Sequence, residues 1–111
     1  MKKIVIICDF YKNSGFGHLS RMRSLSKSFN STFYDINFLF ELKHKKFIQN
    51  YVKDLKCKYL SFSLKKTSKK ILDYLDKNLI DIIIFDSYHI DIELEKELFK
   101  FFFVVSIDDK I

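Results

Sequence analysis

The sequence predicts a doubly wound α/β domain on a parallel sheet, and three observations carry that expectation. Short runs rich in Ile, Val and Phe recur along the chain, apolar without alternation, as strands buried on both faces are. Helical patterns of about 10–15 residues separate them, the rhythm of βαβ units with right-handed crossovers. Polar residues cluster directly after several of the runs, where such sheets bind ligands. With 111 residues there is room for one domain and one core.

Each element can be justified in order. "KIVIICD" (3–9) is the first strand. A glycine loop follows, then a helix over 18–29 with Leu19, Met22, Leu25 and Phe29 three to four apart as its core stripe. "YDINFLFE" (34–41) is the second strand, and 44–55 the second helix, with Phe47, Ile48, Tyr51, Val52 and Leu55 inward. "CKYLSFS" (57–63) is the third strand, and 67–78 the third helix, on Ile71, Leu72 and Leu75. "DIIIFD" (81–86) is the fourth strand, 91–101 the fourth helix and "FFVVSID" (102–108) the fifth strand. The expected strand order is 3-2-1-4-5, a Rossmann-like sheet of about five strands.

Composition narrows the class. Hydrophobic residues make up 48% of the chain, with 13 Phe and no Pro or Trp, which excludes a disordered segment. No apolar run approaches the roughly 20 residues a membrane span needs. The opening "MKKIVIICDF" lacks both the length and the small-residue cleavage site of a secretory signal. Cys8 and Cys57 fall in strands without metal-ligand spacing and read as buried free thiols, in keeping with a reducing cytoplasm. The net charge of +6 comes from 20 basic and 14 acidic residues, concentrated in "KHKK" (43–46) and "KKTSKK" (65–70). Solvated helix ends account for those clusters, and charge alone does not select an anionic partner.

In the expected strand order the ligand crevice opens between the first and fourth strands, beyond their carboxyl ends. Gly15 and Gly17, the only two glycines, stand in the loop after strand one. They permit positive φ and close backbone approach to a ligand. His18 would sit at the N-terminus of the following helix, whose dipole favours the neutral imidazole and welcomes an anion. Arg21, one turn on, shares its face and suits an anionic group. Asp86, Tyr88 and His89 follow strand four, and Asp108 and Asp109 follow strand five. An ordinary glycine turn, solvated His18 and Arg21, a strand-ending Asp86, a loop Tyr88 and an Asp108–Asp109 turn fit the same residues. Asp91 reads as the cap of the fourth helix. The acidic residue that a dinucleotide fold carries after its second strand is matched only loosely, by Glu41.

Taken in order, "GFGHLSRMRSLSKSF", "DIIIFDSYHID" and "VVSIDDKI" resemble the UDP-sugar hydrolases of pseudaminic acid biosynthesis. These remove UDP from a 2,4-diacetamido-2,4,6-trideoxyhexose nucleotide. The resemblance runs the length of the chain and implies the N-terminal half of a two-domain GT-B fold, that of many nucleotide-sugar glycosyltransferases. It implies that His18 is the base activating water at the anomeric carbon, with inversion, no metal and no cofactor. It implies further that Gly15, Gly17, Arg21, Asp86, Tyr88, Asp108 and Asp109 bind or shape the sugar side. The implied partner is a UDP-linked amino sugar, with no nucleic acid and no membrane, in the cytoplasm.

The sequence departs from that family in one respect. The chain stops at "IDDKI", directly after the fifth strand, and the family's C-terminal nucleotide-binding domain is absent from residues 1–111. The expectation is therefore half a site, inactive alone, with a separately encoded C-terminal domain as a partner to consider. The N-terminal domain of a UDP-sugar glycosyltransferase and a non-catalytic truncated remnant are the alternatives. A phosphoacceptor receiver domain fits poorly, because the acidic pair it needs after strand one is a single Asp9.

Overall fold

The computed structural model describes residues 1–8, 17–66, 69–86 and 90–107, without the side chains of Gly17, His18 and Asp86. The elements are β1 (Lys2–Cys8), α1 (Gly17–Lys27), β2 (Tyr34–Glu41), a 3₁₀ turn (Leu42–His44), α2 (Lys45–Ile48) and β3 (Cys57–Leu60). They continue with α3 (Lys69–Lys77), β4 (Ile82–Asp86), α4 (Ile92–Phe101) and β5 (Phe103–Ser106). All four strand pairings are parallel. The order is β3-β2-β1-β4-β5, as the sequence predicts, and the fold is Rossmann-like.

Strand alternation divides the core into two layers. Ile4, Ile6 and Cys8 of β1 join Phe38 and Phe40 of β2 on one face, under Leu19 and Met22 of α1 and Ile48 of α2. Val5 and Ile7 join Leu39, Ile83 and Phe85 on the other, under Ile71 and Leu75 of α3 and Leu94 and Leu98 of α4. β1 is thus buried on both faces from Ile4 onward, which is why its sequence is apolar without alternation. The helices change face between α2 and α3, where the chain crosses from β3 to β4. This reversal creates the switch point between β1 and β4.

The second helix is the main departure from the expected elements. Only Lys45–Ile48 is α-helical, and Phe47 and Tyr51 face solvent while Ile48 and Val52 are buried. The physical reason lies at its start. Neither Glu41 nor His44 provides a side-chain cap, and Lys43, Lys45 and Lys46 set cations against the positive end of the helix dipole. Arg23 of α1 then donates to the Tyr51 carbonyl and to the Asp54 carboxylate, which holds that carbonyl out of a helical ladder. The third strand ends at Leu60 and the fifth at Ser106, both short of the expected limits.

Candidate ligand site at the carboxyl edge of the sheet

β1, β4 and β5 are neighbours, so the segments that leave their carboxyl ends start side by side. Cys8, the last residue of β1, is the register partner of Asp86, the last residue of β4. Adjacent strands lie about 4.8 Å apart, which sets the last residue of β1 against the last residue of β4. On the far side of β4, Phe85 pairs with Ser106, and the Ile107 amide donates to the Phe85 carbonyl at 2.8 Å. Asp108 therefore follows a residue anchored to the same strand that carries Asp86.

α1 points its N-terminus at this edge. Leu19 and Met22, buried against β1 and β2, fix the helix, which places the backbone of His18 in the first turn beside Gly17. The free N–H groups of a helix cluster there. No acidic side chain lies in that first turn, so no carboxylate of that turn offsets the positive end of the dipole. α4 contrasts with it: Glu93 and Glu95 occupy its first turn and the Asp91 carboxylate accepts from the Leu94 amide at 3.1 Å. The expected capping role of Asp91 holds. The Asp91 amide also donates to the Leu64 carbonyl at 2.6 Å, which ties the segment after β4 to the one after β3.

Gly17 is the first residue of α1. Arg21 lies one turn on and is half-buried. Asp86 ends β4 on the rim. Gly15, Tyr88, Asp108 and Asp109 lie outside the described residues, as do Asp9 and His89.

Glu41 also reaches this edge, at the carboxyl end of β2, and is 7% exposed. Its Oε2 has no hydrogen-bond partner, although Lys43 Nζ stands 3.2 Å away in an ion pair. Sequence reasoning gave Glu41 little weight. The available signal was a carboxylate closing an apolar strand at the ligand edge.

Other features lie away from this rim. A hollow of about 270 Å³ lined by Phe29, Tyr34, Ile36, Phe38 and Leu55 sits at the amino end of β2. Beside it, Lys56 donates to Asp35 and holds that carboxyl below its ordinary range. Among the described residues no three His, Cys, Asp or Glu side chains are placed to hold a metal. Among the described residues no helix is long and apolar enough to cross a membrane. Cys8 and Cys57 are not joined in a disulfide.

No family model, curated protein or solved structure matches this chain.

Proposed function

We propose that this chain is the N-terminal, sugar-side domain of a UDP-sugar hydrolase of GT-B architecture. The observation that supports this most is the adjacency of β1, β4 and β5, the three strands that lead into the Gly-His-Arg, Asp-Ser-Tyr and Asp-Asp segments. Three motifs far apart in sequence thus follow neighbouring strands, and the switch point between β1 and β4 is where parallel sheets bind ligands.

In this reading His18, neutral at a helix N-terminus, takes a proton from water as the water oxygen bonds to the anomeric carbon. The bond from that carbon to the diphosphate oxygen breaks, and UDP leaves with the electron pair. The configuration inverts because water enters opposite the leaving group. Asp86, Tyr88, Asp108 and Asp109 bind the hydroxyl and acetamido groups, and Arg21 and the α1 N-terminus favour the anionic side. Uridine and most of the diphosphate belong to a second, C-terminal domain of the family's type.

The test is UDP release from a UDP-2,4-diacetamido-2,4,6-trideoxyhexose, followed by chromatography, with the chain supplied with such a nucleotide-binding domain. His18→Asn is expected to lower the rate by about 10²–10⁴-fold, the usual contribution of a general base, with the fold intact. Unchanged turnover in His18→Asn rejects the role of His18. No UDP release from the assembled wild type rejects the hydrolase.

A further inference from the structure

We infer that the free edge of β5 is a self-association surface, through which two copies of this chain join their sheets about a twofold axis centred on Val104. The inference is independent of the hydrolase reading. Three features of this edge lead to it.

The first is the backbone. Among the described residues β5 pairs only with β4, and the Ile107 amide donates inward to Phe85. Parallel ladders alternate along a strand, so Phe103 and Val105 also turn their backbone polar groups toward β4. Val104 and Ser106 then turn theirs outward. An antiparallel pair centred on Val104 satisfies them reciprocally. Val104 of each copy bonds Val104 of the other, and the Ser106 amide meets the Phe102 carbonyl, whose own N–H is committed to Leu98.

The second is the side chains. In that register Phe103, 66% exposed, lies directly across from Val105, 39% exposed, of the other copy. Aromatic and β-branched partners of this kind stabilise antiparallel pairs. On the opposite face α4 covers the sheet with Leu94 and Leu98, and Phe101 lines a hollow with Leu72, Asp73 and Asp76 of α3. Ile92 and Phe99, seven residues apart, occupy the flank turned away from α3, at 65% and 49% exposure. The twofold brings these flanks together. Ile92, Phe99, Phe103 and Val105 expose roughly 400 Å² per copy, taking about 150–250 Å² for a large side chain. At the usual apolar share of interfaces, two copies would bury about 1,300 Å² in total, within the range of specific complexes.

The third is the contrast between the two edges. Lys56 and Lys58 are exposed at β3 and Lys45 lies over the Tyr59 ring, and lysines on an edge discourage pairing. "FVVS" in β5 has no charge and no proline.

Sedimentation equilibrium of the 111-residue chain at micromolar concentrations tests this. The expected species is twice the chain mass of 13.4 kDa. Val105→Lys, an exposed position, is expected to weaken association by at least about 30-fold, as loss of an interface anchor does, with circular dichroism unchanged. Val104→Pro removes an outward donor that β4 does not use and should do the same. A monomer at all concentrations overturns the inference and leaves the face to another protein segment. Open-ended polymers, or a dimer indifferent to Val105→Lys, overturn it as well.

Discussion

Cys57 shows how one side chain reports its surroundings. It is half-buried, with its Sγ 4.0 Å from the Val52 carbonyl oxygen, and lies within reach of the negative charge of Asp54. Burial first, and then Asp54, push its thiol up to about 11. The reactive thiolate is therefore scarce at neutral pH. Thiol labelling at pH 8 should run on the order of 100-fold slower in the folded chain than in urea, and should accelerate as pH approaches 11. The same shift makes folding pH-dependent. Its contribution is fully present below the ordinary thiol range near 8.5 and is lost as pH rises through 11. Equal labelling rates in folded and unfolded chains would contradict this placement. The burial of Cys8 was legible because it ends an apolar strand. The raised pKa of Cys57 was not, because Asp54 belongs to a turn that the sequence placed inside a helix.

At the scale of elements, what the sequence disclosed depended on what decides each boundary. β1 and β4 read clearly because burial on both faces leaves an unbroken apolar run. α2 did not, since Phe47 and Tyr51 fit a helical stripe in spacing while the uncapped, lysine-rich start works against the helix. The end of α3 is another case. Leu79 adopts φ 53°, the Leu79 amide donates to Asp76 and the Ile80 amide to Leu75. This is a Schellman closure with leucine where glycine normally serves. A left-handed residue with a Cβ costs roughly 1–2 kcal/mol, and this side chain is exposed. Leu79→Gly is therefore expected to raise stability by about 1 kcal/mol in urea denaturation. A loss of stability would mean that Leu79 contributes packing that its exposure does not suggest.

Across the whole molecule, the strand order decides which segments start from one edge. It follows from the alternation of strands and helices, visible in the sequence, and from the change of helix face after α2, which the two core layers show. It brings the carboxyl ends of β1, β4 and β5 together, although Cys8, Asp86 and Ile107 are far apart in the chain. The depth of Glu41 at the same edge was not legible, because burial there depends on how the ends of neighbouring strands pack. The central claim is that this edge, and no other surface, takes the nucleotide sugar. Amide chemical shifts during titration of the ¹⁵N-labelled chain with a UDP-2,4-diacetamido sugar test it most directly, since they register weak binding by half a site. The account predicts shifts confined to Gly17–Leu19, Glu41, Asp86 and Ile107 and the segments that join them. Shifts confined to the opposite edge, around Lys2, Tyr34 and Asp81, or none at millimolar ligand, would contradict it.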